Sequence, residues 1–147
     1  MCCLSMRILK GRASKLLDDE RKALAKLRLD NANERLSFIL AILEIGDYKT
    51  VANRSYYAMF YAMRAVLALD GFDSKKHSGI IAEFRKRYVK TGIFETEMSD
   101  IISDLFEVRA SSDYDDFYVI SKSKVVEQYQ KAEFFVKRVN EYLNSKL

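Results

Sequence analysis

Proline is absent from the chain, and only five of its 147 residues are glycine. Turn-rich all-β folds need these residues at frequent turns, so their scarcity argues against that class and favours long, uninterrupted helices. A chain of this length is expected to fold as one domain with a hydrophobic core of its own. Its composition, 49% hydrophobic and 31% charged, is typical of a soluble globular protein.

Cysteine and histidine are almost as scarce, which bears on metal binding. The two cysteines, Cys2 and Cys3, are adjacent and terminal, so they offer neither a disulfide framework nor the spacing of a zinc site. His77 is the sole histidine, and the acidic residues are spread along the chain rather than clustered. We therefore predict no metal site and no cofactor. Glycine-rich loops that hold phosphates are missing as well.

Long apolar runs are missing, and the charge is uneven. No segment has the length of a secretory or transmembrane stretch, so we expect a cytoplasmic protein that does not enter a membrane. The net charge of +4 comes from the first 30 residues, which hold eight lysines and arginines against four acids. The remainder holds 17 of each, which disfavours a uniformly basic nucleic-acid binder. We predict a flexible leader over residues 1–17 and a single helical domain over residues 18–147.

Apolar residues recur at intervals of three and four along most of the chain. This pattern predicts five amphipathic helices, three of which end at Gly46, Gly71 and Gly92. A polar stretch over residues 111–124 is expected to separate the fourth helix from the fifth. Because short links favour antiparallel neighbours, the predicted fold class is all-α, an up-and-down antiparallel bundle of about five helices.

The second predicted helix has a polar face beside its apolar stripe, which includes Tyr56. Two arginines and two tyrosines follow one another at helical spacing on this face: Arg54, Tyr57, Tyr61 and Arg64. Arginines interleaved with phenol rings can hold phosphate while a base stacks on the rings. The alternative is structural, with the tyrosines half-buried and the arginines solvated or paired to carboxylates.

Two further residues carry reactive side chains. His77 lies in helical register with the apolar residues of the third predicted helix, where a packed or capping role competes with that of a general base. Arg109 shares an apolar stripe near the end of the fourth predicted helix, so it needs a partner for its charge. Asp113 and Tyr114 are the candidates nearest in sequence.

Four short motifs, in this order, carry a resemblance to a known family. They are Ala52-Asn-Arg54-Ser-Tyr56-Tyr57-Ala-Met-Phe60, Lys76-His77-Ser78-Gly79, Val89-Lys-Thr-Gly92, and Arg109 with Asp113-Tyr114. Over residues 22–145 the chain resembles the prokaryotic HEPN (higher eukaryote and prokaryote nucleotide-binding) domain family, in the branch with an Arg-x3-Asp-Tyr motif. The resemblance implies an antiparallel helical bundle, a homodimer, and a small nucleotidyltransferase partner in a toxin–antitoxin-type pair.

Many members of this superfamily are metal-independent ribonucleases, whose signature is an arginine followed after four to six residues by histidine. Arg109 matches the arginine, but Tyr114, Asp115 and Asp116 stand where the histidine would fall. A neutral tyrosine is a poor base near pH 7. On the sequence alone, the resemblance therefore leaves open whether the chain is an enzyme.

One function is preferred and two alternatives remain. The preferred function is a nucleotide- or RNA-binding homodimer that acts with a nucleotidyltransferase, which can also transfer a nucleotidyl group to the motif tyrosine. The first alternative is a ribonuclease toxin in which Arg109 acts with Tyr114 or His77 as the proton carrier. The second is an interaction bundle without a ligand. The residues predicted to bind nucleotide or RNA are Arg54, Tyr57, Tyr61, Arg64 and Asp113.

Overall fold

The computed structural model describes the backbone of residues 2–147 and the side chains of residues 6–15 and 17–147. Within this part of the chain no strand occurs, and most residues are helical. Because α2 continues α1 beyond a break at Phe38, and a π turn continues α4, the molecule is a bundle of five rods. The predicted all-α fold of about five helices is confirmed. The elements are α1 (Cys2–Ser37), α2 (Ile39–Glu44), α3 (Tyr48–Leu69), α4 (His77–Phe84), the π turn (Arg85–Val89), α5 (Glu97–Tyr114) and α6 (Lys122–Asn144).

Helix ends lie where the sequence has glycine or a capping side chain. Gly46, with a φ of +80°, ends α2, and the Thr50 amide donates a hydrogen bond of 3.2 Å to the Asp47 carboxylate, which caps α3. Glycines with positive φ also follow α3 and the π turn, at Gly71 and Gly92. The three predicted glycine stops are therefore present, and they limit the lengths of three rods.

Helix α3 forms the centre of the bundle. Thirteen of its 22 residues are buried, and Tyr56, Met59 and Met63 have no exposed surface. Helices α1, α5 and α6 all pack against it. Full burial of a large apolar side chain stabilises the folded state by about 1.5–3 kcal/mol. The core around α3 therefore supplies the rigid frame on which the polar side chains at its edges are positioned.

Contacts between side chain and backbone show that α1 and α3 run antiparallel. Arg28, in the middle of α1, donates to the carbonyl oxygen of Arg64 in the later part of α3, at 3.2 Å. Arg54, in the early part of α3, donates to the carbonyl oxygen of Arg35 near the end of α1, at 3.0 Å. An ion pair between the segment just before α5 and the later part of α6 shows the same arrangement for that pair of rods.

The π turn attaches the α4 rod to two neighbours. Arg85 donates to the hydroxyl oxygens of Ser99 and Ser103 on α5, at 2.9 Å and 2.6 Å. Tyr88 donates to the carboxylate of Asp70, the residue that follows α3, at 2.7 Å. A π turn is wider than an α-helical turn and changes the direction in which the following side chains point. Through this turn the α4 rod holds both α5 and the end of α3.

Helix α5 is longer than its sequence pattern predicts. It continues through Tyr114, into the polar stretch expected to separate the last two helices. The extra turn is supported by the buried side chain of Ser112 and by an ion pair of Arg109 with Asp113, one turn apart. The link to α6 is therefore confined to residues 115–121. Asp113 consequently lies on the same helix as Arg109.

The N-terminal part of the chain is helical in the structure. Residues 2–17, which we predict to be a flexible leader, form the first turns of α1, and the described side chains over residues 6–20 are exposed. The flexibility of this segment and the boundary after residue 17 stay predictions. Met1, together with the side chains of Cys2 and Cys3, lies outside the described part of the structure.

Candidate functional site

Three helices bring two tyrosines, a histidine and an arginine together. Tyr56 and Tyr57 lie on α3, His77 is the first residue of α4, and Arg109 lies near the end of α5. These four residues are termed the aromatic–arginine cluster. Because consecutive helical residues diverge by about 100°, Tyr56 is buried in the core while Tyr57 is half-buried at its edge. The adjacent tyrosines therefore let α3 contact α4 and α5 at the same level.

Arg109 is held against both phenol rings. Its Cζ atom lies 4.9 Å from the ring centroid of Tyr56 and 5.3 Å from that of Tyr57, which are distances of cation–π interactions. Its Nη2 also donates a hydrogen bond of 3.2 Å to the Tyr57 hydroxyl. Each cation–π contact stabilises the arrangement by about 0.5–2 kcal/mol. The guanidinium is therefore fixed in place, although 15% of the side chain remains exposed.

The counter-ion of Arg109 is Asp113, one of the two partners suggested by the sequence. The distance between Nε of Arg109 and Oδ2 of Asp113 is 2.9 Å. The Nε–H does not point at this oxygen, however, and no other acceptor in the described part of the chain receives it. The contact is thus a close ion pair without a directed hydrogen bond. A buried donor without an acceptor costs about 1–3 kcal/mol, and because Nε is buried, a ligand contacts Arg109 only through the part of its side chain that is exposed.

His77 joins the cluster through Tyr56. Its Nδ1 lies 2.8 Å from the Tyr56 hydroxyl oxygen, and its ring stacks on Phe60 with 4.2 Å between the ring centroids. Burial lowers the pKa of His77 below its usual 6.5, and the positive charges of Arg109 and Arg64 lower it further. The imidazole is therefore neutral at pH 7. The structure thus brings His77 close to Arg109, although the two residues are far apart in sequence.

Tyr56 is a candidate site residue that is missing from the set predicted to bind or react. The apolar pattern assigns it to the core, which is correct for its ring, but gives no information about its hydroxyl. Burial raises the pKa of Tyr56 to about 12, against the opposing charge of Arg109, so the phenol stays protonated at pH 7. From the sequence, one can infer only that a buried tyrosine hydroxyl needs a hydrogen-bond partner, and not which residue that partner is. That partner, His77, comes from another helix.

The row of arginines and tyrosines predicted on α3 does not form one continuous surface. Arg54 donates to the carbonyl oxygens of Glu34 and Arg35, and so caps the end of α1 ahead of its break. The Tyr61 ring lies 4.2 Å from the Arg35 guanidinium carbon. A cleft of about 430 Å³, termed the α1 cleft, opens here and reaches the cluster through Tyr57. It is lined by Glu34, Arg35, Asn53, Arg54, Tyr57 and Tyr61.

Arg64, at the other end of the row, faces a second cleft. Its Nη2 lies 3.0 Å from the carboxylate of Asp73, which also accepts a 2.8 Å contact from Arg28. This cleft, termed the α4 cleft, has a volume of about 550 Å³ and reaches the cluster through His77. The aromatic–arginine cluster therefore stands between two clefts. The α4 cleft is lined by Phe60, Arg64, Asp73, Ser74, Lys75 and His77.

Tyr114 lies apart from the cluster. Its side chain is 81% exposed at the C-terminal end of α5, immediately before the link to α6. Asp113, the preceding residue, is in contact with Arg109 instead. Consecutive residues of the motif thus point in different directions. The structure brings together Arg109, Asp113, Tyr57 and His77 from the predicted set, and it leaves Tyr114 open to solvent.

Two negative findings for the described residues concern metal binding and membrane crossing. Among the side chains that it describes, histidine, cysteine and acidic residues nowhere form a group of three or more that could hold a metal ion. No helix in the described residues is both long and apolar enough to cross a membrane. The cluster itself offers a guanidinium for phosphate, phenol rings for stacking, and a neutral imidazole for hydrogen bonding or proton transfer.

Similar proteins identify the family. The HEPN domain matches residues 25–142 of the chain. A UPF0332 protein of Thermotoga maritima is 33% identical over 134 residues, which cover 91% of this chain and 87% of that protein. "Putative toxin MJ0142" of Methanocaldococcus jannaschii is 32% identical, over 86% of this chain and 85% of its own length. "Putative toxin MJ0605" of the same organism is 29% identical, over 92% and 97%. The resemblance to the HEPN domain family is confirmed, whereas the branch with an Arg-x3-Asp-Tyr motif stays a prediction. The chain belongs to the HEPN domain family.

Proposed function

We propose that this chain is the toxin-type member of a two-protein pair and that it binds a nucleotide or RNA at the aromatic–arginine cluster. One observation carries the proposal. Arg109, Tyr57 and His77 converge from three helices, part of the Arg109 side chain is exposed, and Tyr57 and His77 each line a cleft. The match to the HEPN domain and the two relatives named as toxins support the toxin-type role.

The groups around the cluster suit the parts of a nucleotide. The Arg109 guanidinium donates charge-assisted hydrogen bonds to a phosphate, and Asp113 keeps it oriented. Tyr57 and Tyr61 line the α1 cleft, where stacking of a base on an aromatic ring contributes about 1–3 kcal/mol. Arg54 and Arg64 bind at the edges of the two clefts, since a guanidinium has five N–H groups and their protein contacts use only some of them.

The binding site is tested by Arg109→Ala in the full chain. Nucleotides and short RNA oligomers are expected to raise the melting temperature of the unmodified protein. Loss of a charge-assisted hydrogen bond is expected to weaken their binding by about tenfold in Arg109→Ala. Arg138→Ala is a matched control, because Arg138 is also ion-paired and also lies over an aromatic ring, but on α6. Equal loss of affinity in both variants contradicts the assignment.

The homodimer and the nucleotidyltransferase partner belong to the same proposal and rest on the family resemblance. The exposure of Tyr114 supports one consequence of such a pair. The partner can reach this phenol, whose oxygen attacks the α-phosphate of a nucleoside triphosphate, displaces pyrophosphate and loses its proton. The nucleotidyl group would then extend from the exposed end of α5, apart from the cluster.

Intact-mass spectrometry tests the modification of Tyr114. After incubation with the proposed nucleotidyltransferase partner and a nucleoside triphosphate, the protein is expected to gain the mass of a nucleotidyl group. Tyr114→Phe is expected to remain unmodified, because it lacks the attacking oxygen. Tyr118→Phe, in the link that follows α5, serves as the control and is expected to be modified normally. Modification of Tyr114→Phe at full yield refutes the assignment.

A ribonuclease is the second candidate function, and the neutral His77 beside Arg109 favours it. RNA cleavage without a metal needs a base for the 2′-hydroxyl, a cation for the charged phosphorane and an acid for the leaving 5′-oxygen. Arg109 supplies the cation, and His77 is a proton carrier that the arginine motif itself lacks. The reaction forms a bond from the 2′-oxygen to phosphorus and breaks the bond from phosphorus to the 5′-oxygen.

Incubation of RNA with the purified protein in the presence of EDTA separates the functions. Cleavage that is lost in both Arg109→Ala and His77→Gln supports the ribonuclease. Intact RNA together with a nucleotide-induced rise in melting temperature supports binding without cleavage. Intact RNA with no rise in melting temperature contradicts both and supports an interaction bundle without a ligand.

A further inference from the structure

The α4 cleft carries more positive charge than its single carboxylate can balance. Asp73 is paired with both Arg28 and Arg64, at 2.8 Å and 3.0 Å, so two guanidinium groups share one carboxylate. Lys75 lines the same cleft and is exposed, and Lys76 follows it. Of the charged residues that line the cleft, Arg64 and Lys75 are positive and Asp73 alone is negative, and Asp73 is also paired with Arg28 from behind the cleft wall. An anion that enters this cleft meets unbalanced positive charge.

The tautomer of His77 can be worked out from the hydrogen bond with Tyr56. The Tyr56 phenol stays protonated, and within the described residues its hydroxyl has one hydrogen-bond partner, Nδ1 of His77. A buried hydroxyl hydrogen needs an acceptor, so Tyr56 is the donor and Nδ1 accepts. The proton of the neutral imidazole must then lie on Nε2. His77 therefore offers an N–H group, and it lines the α4 cleft.

The turn that leads into α4 is held in one conformation. The Asp73 carboxylate accepts a hydrogen bond from the amide of Ser74, and the Ser74 hydroxyl oxygen accepts one from the amide of Lys76. A Cβ atom at Gly79 would lie 2.5 Å from this hydroxyl oxygen, so glycine is required for Ser74 to lie over the first turn of the helix. The wall of the cleft is therefore preformed.

We propose that the α4 cleft is a phosphate subsite in which Nε2–H of His77, Lys75 and Arg64 bind a phosphoryl group of the ligand. The inference rests on the proposed binding of a nucleotide or RNA and adds a second phosphate contact to that of Arg109. Tyr56 is then a positioning residue, because it selects the His77 tautomer that donates. In the ribonuclease alternative, a bound phosphate favours the imidazolium form of His77, and that imidazolium is the acid for the leaving oxygen.

The single histidine makes this subsite directly observable. In the 15N-labelled full chain, a long-range 1H–15N correlation spectrum above pH 7 is expected to show His77 protonated on Nε2 and not on Nδ1. Inorganic phosphate is expected to shift the His77 signals in a saturable way and to raise the His77 pKa, since a bound anion favours the imidazolium. Charged and titratable groups near His77 are Tyr56, Tyr57 and Arg64 on α3, Arg109 on α5, and Asp73, Lys75 and Lys76 in the link.

Matched variants assign the binding to the cleft. Lys75→Ala is expected to weaken phosphate binding by about tenfold, as a lost charge-assisted contact does. Lys90→Ala removes an exposed lysine beyond the π turn and is expected to leave the affinity unchanged. Tyr56→Phe is expected to give a mixture of both His77 tautomers. Circular dichroism checks whether Tyr56→Phe is folded. Because Lys75 is exposed, Lys75→Ala tests the subsite independently of the Tyr56 variant.

Three results overturn the subsite: His77 protonated on Nδ1 in the unmodified protein, no saturable shift with phosphate, or equal losses in Lys75→Ala and Lys90→Ala. The proposed function fails on different data. If nucleotide or RNA binding depends on Arg109 but phosphate leaves the His77 signals unchanged, the function stands and the subsite is wrong. If phosphate binds at His77 but neither nucleotide nor RNA binds, the subsite is not part of that function and the inference fails with it.

Discussion

Helix α5 carries two polar clusters whose hydrogen bonds are completed to different degrees. Asp104 receives hydrogen bonds from Lys131 and Gln128 of α6, both at 2.7 Å, and a longer one of 3.4 Å from Lys124. Burial acts to raise the pKa of Asp104, but the hydrogen bonds and positive charges of its partners hold that pKa below its usual value. Arg109, about one and a half turns further on, has a close counter-ion in Asp113 but a donor without an acceptor.

This difference separates a structural polar cluster from a candidate binding site. The Asp104 cluster joins two helices, and each of its carboxylate oxygens has a partner, so the carboxylate has little to offer a ligand. The unpartnered atom of this cluster is a neutral one, the buried Oε1 of Gln128. The aromatic–arginine cluster fixes its cation with rings and one carboxylate while leaving donors available. A partly buried charge is therefore a guide to function when its own protein leaves its hydrogen bonding incomplete.

The largest expected effect on stability comes from breaking the structural cluster. Asp104→Ala removes the acceptor of two lysines and of the buried Gln128 amide, so we expect the free energy of unfolding to fall by about 2–3 kcal/mol. Urea denaturation measures this loss. Asp100→Ala, an exposed acid one turn earlier on α5, is the control and is expected to change little. Affinity for nucleotide is expected to stay unchanged in both, and a tenfold loss in Asp104→Ala would contradict the distinction.

Arg109→Ala is expected to show the opposite pattern. The lost cation–π contacts and ion pair are expected to lower the free energy of unfolding by about 1–2 kcal/mol, because removal of the arginine also relieves the cost of its buried Nε donor without an acceptor. Ligand affinity falls by about tenfold, as stated for the binding test. Arg109→Lys keeps the charge without the guanidinium fork, so its affinity is expected to lie between the two. A larger stability loss than in Asp104→Ala would place Arg109 among structural residues.

Arg54 is an intermediate case between structural residues and candidate binding residues, because it has a structural contact and a predicted binding role. Arg54→Ala removes two hydrogen bonds to the carbonyl oxygens at the end of α1, and we expect a loss of about 1 kcal/mol in the free energy of unfolding. Its effect on ligand affinity is expected to be smaller than that of Arg109→Ala. Lys49→Ala, exposed in the first turn of α3, controls for the removal of positive charge.

The smallest expected effect is a pH dependence from His77. Its pKa in the folded protein lies below the usual 6.5, so the unfolded chain binds more protons just below that pH. The free energy of unfolding is therefore expected to fall as the pH drops from about 6.5 towards the lower folded value. Urea denaturation between pH 7.5 and pH 5 measures this change. His77→Gln is expected to reduce the slope, and an unchanged slope would show that His77 titrates normally.

The sequence allows the prediction of features that depend on neighbours along one helix. The five rods, the glycine stops and the pairing of Arg109 with Asp113 all follow from periodicity or from a spacing of four residues. The last turn of α5 is missed, because its polar residues suggest a loop and its support comes from the buried Ser112 and that ion pair. Local pattern thus predicts the elements well and their ends less well.

Contacts between helices cannot be read in the same way. The approach of His77 to Arg109 depends on how α4 and α5 pack against α3. Both residues contact Tyr56, which the pattern places in the core: His77 contacts its hydroxyl and Arg109 contacts its ring. The division of the predicted row on α3 has a similar cause. Arg54 binds carbonyl groups of α1, and Arg64 shares Asp73 with Arg28. These partners are distant in sequence, and no spacing rule identifies them.

Because of the π turn, the contacts of the α4 rod depend on the number of residues per turn as well as on which residues are present. Regular α-helical bonding over Arg85–Val89 would advance each residue by about 100° around the helix axis, which is more than in the wider π turn, so the angle between Arg85 and Tyr88 would change. Arg85 could then no longer face the two serines of α5 while Tyr88 faces Asp70. A variant that lacks the π turn is therefore expected to keep only one of these two contacts, so the turn is what allows a single rod to hold α5 and the end of α3 together.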